Sequence, residues 1–269
     1  MADATAIAKE ALAALEAGRQ VARFTARDPA FDVGAARPVI AALRELREGR
    51  GEAPVGRKIG FTNRGIWDEY RVYAPIWGYM YDTTVRSVSP GETVAVSHLP
   101  EPRIEPEIVL GLDRDLTPGM DLAAIASAVA WVAHAFEIVQ SIYPGWAFAA
   151  ADCIADGGLH GRLFVGPRRH LSKTDQATLA RDLSALRVTL LRDGERVDTG
   201  SGANVLDGPV EALSHLVAAL ADDPFNPPLA AGEMVSTGTM TRAFPVRPGE
   251  RWSTAISDYP LPGLSVTID

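Results

Sequence analysis

One short segment, Arg103–Gly111, constrains the fold of this chain more than any other. It reads R-I-E-P-E-I-V-L-G, and its apolar positions alternate with the two glutamates, which is typical of a half-buried β-strand. In a strand, Glu105 and Glu107 point to the same face, with roughly 7 Å between them along the backbone. Two carboxylates that converge away from water repel each other, so one is protonated or a cation lies between them. The alternative is a strand with one solvated face, on which two glutamates are ordinary.

A third acid makes the shared cation more attractive. Glu137 lies in the largely apolar stretch Trp131–Val139, and isolated ionised carboxylates are rarely buried without a partner. We therefore expect Glu137 to converge with Glu105 and Glu107. A hard divalent cation such as Mg²⁺ suits oxygen ligands of this kind and keeps waters that a substrate can displace. His134 could ligate the same metal, although a single helical histidine is more often a satisfied structural residue.

Composition narrows the classes of partner. The 269 residues are 47% hydrophobic and 22% charged, as in a soluble globular protein, and could form one large domain or two small ones. The net charge of −8 and the lack of a Lys/Arg-rich run argue against nucleic acid or an anionic membrane as partner. The single cysteine, Cys153, excludes an internal disulfide and fits a reducing cytoplasm. The sequence shows no signal-peptide pattern and no apolar run of membrane-spanning length, so we expect a cytoplasmic protein without a membrane span.

Periodicity predicts an α+β fold, with helices at the start of the chain and as crossovers, and with strands dominating after residue 85. We expect a helical N-terminal cap region at residues 1–75 and a β-rich catalytic region at residues 76–269, forming one functional unit. Predicted helices cover residues 4–18, 33–48, 122–131 and 210–220. The helix at 33–48 has a signal at each end, because Asp32 is a candidate N-cap and Gly49 a stop signal.

Two further residues are candidates for chemistry. Lys58 lies in a short extended segment between Gly56 and Gly60, which let the backbone approach a ligand closely. It is either a solvated surface charge or a lysine desolvated near a metal and able to move a proton. Asp82 follows an apolar run and either lines a pocket or caps a turn.

Seven short segments along the chain carry a further signal. The segments are K-I-G-F-T (58–62), W-G-Y-M-Y-D (77–82), P-R-I-E-P-E (102–107), F-E-I-V-Q-S (136–141), D-C-I-A-D (152–156), S-G-A-N-V-L-D-G-P (201–209) and S-T-G-T (236–239). Each segment is weak alone, but together they cover nearly all of residues 50–269. In this order they make the chain resemble the hydratase/decarboxylase branch of the fumarylacetoacetate hydrolase superfamily.

The resemblance implies a site and a fold. The fold implied is a small helical N-terminal part packed on a β-rich roll of the fumarylacetoacetate hydrolase type, usually in a homo-oligomer. A complex with a related hydratase or decarboxylase subunit is a further expectation. The implied roles are metal ligands for Mg²⁺ or Mn²⁺ (Glu105, Glu107, Glu137), catalysis (Lys58, Asp82) and substrate binding (Phe61, Asp156, His160, Thr237, Gly238).

The sequence departs from the family pattern in two places. Gly157–His160 replaces an Asn followed by small hydroxyl residues, which changes how a substrate tail or a water would be held. Pro106 stands between the two glutamates where alanine is more usual, and its missing N–H predicts that one side of the strand is unpaired there.

The implied activity is that of a metal-dependent lyase, a hydratase of a short 2-oxo or 2-hydroxy unsaturated carboxylate in aromatic catabolism, similar to 2-oxopent-4-enoate hydratases. Three alternatives stay open. They are a 4-oxalocrotonate-type decarboxylase, an acylpyruvate C–C hydrolase, for which His160 is the candidate base, and a non-catalytic partner subunit. The substrate expected in each enzymatic case is a small anionic 2-oxo acid.

Overall fold

The computed structural model describes residues 3–269, apart from the side chain of Tyr70. Eight α-helices lie in this part of the chain, and none of them is long and apolar enough to cross a membrane. Their bounds are α1 Ala4–Glu16, α2 Phe24–Arg27, α3 Val33–Glu48, α4 Trp67–Tyr70, α5 Leu122–Ser127, α6 Ala150–Ala155, α7 Lys173–Ala185 and α8 Pro209–Ala221. Short 3₁₀ turns cover Arg64–Ile66, Pro144–Trp146 and Gly202–Asn204.

The strands form two sheets. Their bounds are β1 Pro54–Gly60, β2 Ile76–Tyr81, β3 Val85–Ser87, β4 Glu92–Val94, β5 Arg103–Leu112, β6 Val129–Val139, β7 His160–Val165, β8 Arg169–His170, β9 Arg187–Arg192, β10 Glu195–Ser201, β11 Met234–Thr239, β12 Phe244–Pro245, β13 Arg251–Ser257 and β14 Ser265–Ile268. The larger sheet has the order β2-β1-β11-β5-β6-β7-β3, with β12 on β5 and β8 on β6. The smaller sheet has the order β10-β9-β13-β14-β4.

Local signals account for most of the helices. The Asp32 side chain accepts a hydrogen bond from the Ala35 N–H at 2.9 Å, so α3 begins at the predicted cap and ends before Gly49.

The helix predicted at 122–131 is wrong in its second half, because α5 ends at Ser127 and Val129 begins β6. Valine, isoleucine and aromatic residues there favour a strand, and ten positions of β6 pair with β5. His134 therefore lies on a strand, not on a helix.

Two apolar cores organise the layers. One lies between the sheets, where Ile104, Ile138 and Phe164 of the larger sheet meet Trp252 and Val266 of the smaller one. The other joins the N-terminal helices to the larger sheet, and Leu12, Ile40 and Tyr79 belong to it. This is the α+β arrangement expected from the sequence, with a helical N-terminal part on a β-rich roll. The division at residue 75 remains a prediction, and strand β1, which precedes it, pairs within the larger sheet.

The register of β5 determines which residues meet. Glu105 lies directly opposite Glu137 of β6, and Lys58 of β1 lies opposite Ser236 of β11. The β5–β11 ladder shifts between Ser236, which pairs with Val109, and Thr239, which pairs with Glu107, so the irregularity lies next to Pro106. The Pro106 carbonyl still accepts a hydrogen bond from the Met240 N–H at 3.1 Å. The strand is therefore bulged at this side and not unpaired, which corrects the expectation from the missing N–H of Pro106.

Candidate metal centre

Three buried carboxylates meet on one face of the larger sheet. Glu105 and Glu107 are two residues apart on β5 and share a face, while Glu137 faces Glu105 from β6. One oxygen from each residue lies within 4.8 Å of the others. Glu107 and Glu137 are fully buried, and Glu105 is 8% exposed. The structure thus brings together the three acids that the sequence predicted as ligands.

The bulge in β11 holds Glu107 in place. Its Oε2 accepts hydrogen bonds from Ser236 Oγ at 2.6 Å and from the Gly238 N–H at 3.0 Å. Gly238 has a φ of 105°, and a Cβ there would lie 1.7 Å from Thr62 Oγ1, so only glycine fits this close approach. The other oxygen, Oε1, is buried without a donor in hydrogen-bonding geometry. A bound cation would satisfy that oxygen.

Lys58 reaches the same centre from β1. Its side chain is 3% exposed, and Nζ lies 3.2 Å from Glu137 Oε2. Nζ also donates to the Gly158 carbonyl oxygen at 3.0 Å. Gly158 has a φ of 78° and lets the loop pass close to the lysine stem, because a Cβ there would lie 3.2 Å from Lys58 Cδ. Of the two environments considered for Lys58, the structure therefore shows the desolvated one and not an exposed surface position.

The electrostatics of this cluster favour a divalent cation. Burial and the Glu107 carboxylate raise the pKa of Glu105 to about 8, against the effect of Lys58. Burial and Glu137 raise the pKa of Glu107 to about 8, and burial also raises the pKa of Glu137. Burial tends to lower the pKa of Lys58. The negative charges of Glu137, Glu107 and Glu105 together outweigh the effect of burial, so the pKa of Lys58 is raised. Three ionised carboxylates and one ammonium carry two excess negative charges, which Mg²⁺ or Mn²⁺ would cancel with its preferred oxygen ligands. The residues present fit the metal.

A mainly apolar cavity, partly open to solvent, lies beside the carboxylates. Lys58, Glu105 and Glu107 form part of its wall, and Thr239 also lines it. The apolar part of the wall consists of Phe61, Ile66, Val139, Trp146, Leu159 and Ala243. Phe61, predicted as a substrate contact, lies on this wall. Trp146 and Ser236 were missed from the sequence, because they contact the site only through a loop and a bulge that pairing creates.

The predicted substrate contacts Asp156 and His160 are placed differently. They border a second, smaller cavity behind the carboxylates and are not among the described residues that line the first. His160 Nδ1 lies 2.8 Å from Glu137 Oε1, and Nε2 lies 2.9 Å from Thr84 Oγ1. Burial lowers the pKa of His160 well below its usual value, so the ring is neutral. With Glu137 as an acceptor, Nδ1 carries the proton, so the imidazole donates to Glu137, one of the predicted metal ligands.

Three other candidates can be placed. Thr237 is buried and donates to the Ile108 carbonyl at 2.9 Å, while its neighbour Gly238 contacts Glu107 through its N–H. Asp82 is exposed, and its carboxylate accepts a hydrogen bond from the Ala53 N–H at 3.0 Å. Asp82 lies in the turn after β2 and is not among the described residues that line the cavity, and its catalytic role stays a prediction. The turn alternative noted from the sequence describes it correctly.

His134 is a structural residue. Its Nδ1 lies 2.9 Å from the Glu107 carbonyl oxygen, and its Nε2 lies 2.8 Å from Thr254 Oγ1. Burial lowers the pKa of His134 to about 4, so the ring is neutral and ties the Glu107 backbone to the smaller sheet.

Comparison with known proteins agrees with this geometry. No protein-family model matches the chain. A yeast fumarylacetoacetate hydrolase family protein has the same fold, with a TM-score of 0.56 at 14% identity over 79% of this chain and 91% of that one. The chain is 31% identical over 244 residues to 2-hydroxyhexa-2,4-dienoate hydratase of Comamonas testosteroni, covering 90% of this chain and 89% of the relative. The chain belongs to the hydratase/decarboxylase branch of the fumarylacetoacetate hydrolase superfamily.

Another member of this family has been solved with a metal. 4-Oxalocrotonate decarboxylase from Pseudomonas putida G7, complexed with magnesium and adipate, matches with a TM-score of 0.89 at 28% identity. The match covers 99% of this chain and 97% of that one. Both named activities in the family, hydratase and decarboxylase, are lyases.

Asp156 gives a testable pH dependence. Burial raises its pKa to about 8, although the Gln140 amide and the Ile142 N–H stabilise the charged form. A raised folded pKa means that stability is present below the unfolded pKa and is lost as pH rises through about 8. We expect the melting temperature of the metal-free protein to fall between pH 6 and pH 9, and to fall less steeply in Asp156→Asn. Glu105 and Glu107 titrate in the same window, so the difference between the two slopes is the measurement. Equal slopes would contradict the assignment.

Proposed function

We propose that this protein is a divalent-metal-dependent hydro-lyase that adds water to a short 2-hydroxy-dienoate or its 2-oxo-enoate tautomer. The observation that carries the proposal is the buried cluster of Glu105, Glu107 and Glu137, with the Lys58 amine 3.2 Å from one of them, at the wall of an otherwise apolar cavity. The name of the Comamonas testosteroni relative supports the same reaction and substrate class.

The three glutamates would hold Mg²⁺ or Mn²⁺, which when bound supplies positive charge that stabilises an enolate of a 2-oxo acid. Lys58 keeps its proton beside the carboxylates, and its hydrogen bond to the Gly158 carbonyl fixes the direction of the amine. It is therefore positioned to deliver a proton to a substrate carbon. The apolar wall, including Phe61, excludes water from the substrate tail, so that water reaches the conjugated carbon only from the polar side of the cavity.

A carboxy-lyase is the second candidate. The likeness to the Pseudomonas putida G7 decarboxylase favours it, because the same buried carboxylates can serve both reactions. Acylpyruvate hydrolysis is less well supported, since it needs a base to activate water. His160, the candidate base, is engaged at both ring nitrogens and borders the rear cavity. A non-catalytic subunit is also less well supported, because it would not require four buried ionisable groups in contact.

The cellular setting belongs to the same proposal. Cys153 is a fully buried free thiol, which fits a reducing cytoplasm. Assembly into a homo-oligomer, and association with a related lyase subunit, are proposals based on family membership.

Product analysis tests the proposed function. Purified protein with Mg²⁺ is incubated in turn with 2-hydroxypentadienoate, 4-oxalocrotonate and an acylpyruvate. We expect a hydrated product from the dienoate, and this product should disappear when the metal is chelated and return when Mg²⁺ is added. CO₂ release from 4-oxalocrotonate without hydration of the dienoate would favour the decarboxylase. Absence of any product would favour the non-catalytic subunit.

A further inference from the structure

Trp146 is held at the cavity wall in an unusual backbone conformation. Its φ is 57°, and the preceding Gly145 has a φ of 67°, so two successive residues are left-handed. A bulky residue with a Cβ adopts this region only when its surroundings hold it there, and such residues concentrate at functional sites. Trp146 is 8% exposed and packs edge-on against Phe148, which packs in turn against Phe61.

One residue, Glu101, holds this turn in two ways. Its side-chain Oε1 accepts a hydrogen bond from the Gly145 N–H at 3.0 Å, and its backbone carbonyl accepts one from Trp146 Nε1 at 3.1 Å. Gln20 Nε2 donates to the same Oε1 at 2.8 Å and so braces the carboxylate from the N-terminal region. We call this set of contacts the Glu101 clamp. It fixes both the backbone and the ring of Trp146, and the mechanism above does not use it.

The ring covers a positive charge. The Arg103 guanidinium lies 4.3 Å from the centroid of the Trp146 ring. Arg103, Glu105 and Glu107 alternate along β5 and share a face, so Arg103 stands roughly 7 Å beyond Glu105 in the same row. Trp146 lines the cavity, whereas Arg103 is not among its described lining residues. The indole therefore presents an apolar surface to the cavity at the Arg103 end of the line formed by Arg103, Glu105 and Glu107.

We propose that Glu101 is a positioning residue for Trp146, and that the clamped indole selects substrates whose end remote from the 2-oxo acid group is apolar. The inference rests on the proposed function, since it requires a 2-oxo acid anchored at the three glutamates. A terminal carboxylate would have to lose its hydration against the indole, and burying an unpaired charge is costly. Displacement of Trp146 would uncover Arg103 and provide that carboxylate with a cation.

Two ligands of equal carbon number test this selection. 2-Oxohexanoate ends in a methyl group and 2-oxohexanedioate in a carboxylate, and neither carries the double bond that hydration requires. Their dissociation constants are measured by calorimetry on Mg²⁺-loaded protein. We expect the wild type to bind 2-oxohexanoate at least about tenfold more tightly, the scale on which pockets discriminate small groups. Glu101→Ala and Trp146→Ala should each reduce this ratio several-fold, mainly through tighter binding of the dicarboxylate.

Conservative variants separate positioning from damage to the fold. Glu101→Gln keeps an oxygen that can accept from the Gly145 N–H, so it should retain the wild-type ratio. Trp146→Phe keeps an apolar ring but loses the N–H bonded to Glu101, so its ratio should be intermediate. The fluorescence difference between wild type and Trp146→Phe reports the environment of this ring, and Glu101→Ala should shift that component toward that of a water-exposed indole.

The outcomes separate this proposal from the proposed function. A wild-type preference for the dicarboxylate, or unchanged ratios in both alanine variants, would contradict the selection by Trp146. This conclusion would hold for any substrate that the enzyme converts. If the ratios shift as expected but the wild type does not hydrate 2-hydroxyhexa-2,4-dienoate, the proposed hydration fails and the clamp stands. If the loaded wild type binds neither ligand, both proposals fail.

Discussion

Lys58→Ala is expected to lower turnover by about 10²-fold or more while the protein still binds Mg²⁺, the usual scale for loss of a positioned acid or base. The reason is geometric: Lys58 Nζ lies 3.2 Å from Glu137 Oε2 and belongs to the wall of the apolar cavity. It is a cation in the cluster and not a metal ligand, so its removal leaves all three carboxylates in place. Steady-state kinetics and a Mg²⁺ titration of the same preparation measure the two effects separately.

The matched control for this variant is Lys9→Ala, which removes an exposed lysine from α1. It should leave both turnover and Mg²⁺ binding unchanged. If Lys58→Ala retained wild-type turnover, Lys58 would be a structural counter-charge for Glu137 and the proton-transfer role would be lost. If it lost Mg²⁺ binding instead, the lysine would be required to assemble the carboxylates.

Glu107→Gln is expected to abolish measurable turnover without unfolding the protein. The substitution keeps an oxygen that can accept from Ser236 Oγ and the Gly238 N–H, and it removes one of three mutually repelling carboxylates. The metal-free variant should therefore melt at or above the temperature of the metal-free wild type, especially above pH 8, where the wild-type carboxylate ionises. Turnover with saturating Mg²⁺ and thermal melts in the presence of a chelator measure the two parts.

Glu195→Gln serves as the control, since Glu195 is exposed at the start of β10 in the smaller sheet. It should behave as wild type in both assays. Retained turnover in Glu107→Gln would contradict the assignment of this carboxylate to the metal. A large drop in its chelated melting temperature would show that the carboxylate is needed for folding.

The metal centre was predictable because its signals are local. Alternation placed Glu105 and Glu107 on one face, and the apolar surroundings of Glu137 required a partner for its charge. The two ends of α3 were predictable from Asp32 and Gly49 for the same reason, because capping residues act on neighbouring backbone groups. Lys58 could be singled out, but whether it is buried depends on β2 and β11, which pair on either side of it.

What the sequence could not give depends on pairing and on loops. The segment Val129–Trp131 has a helical period but becomes strand because β5 supplies a long partner. The contact between His160 and Glu137 could not be predicted, because the register of β6 with β7 decides which side of the acid His160 faces. Trp146 has no local motif at all. Its position follows from a hydrogen-bonded clamp to Glu101, more than 40 positions earlier in the chain.

We infer that Glu105, Glu107 and Glu137 together hold one divalent cation. Calorimetric titration of the chelator-treated wild type with Mg²⁺ tests it most directly. We expect one ion bound per chain. The affinity should fall by more than about 100-fold in Glu107→Gln, beyond the usual cost of losing a residue that only supports a ligand, and should be unchanged in Glu195→Gln. Absence of binding to the wild type, or equal affinity in Glu107→Gln, would contradict it.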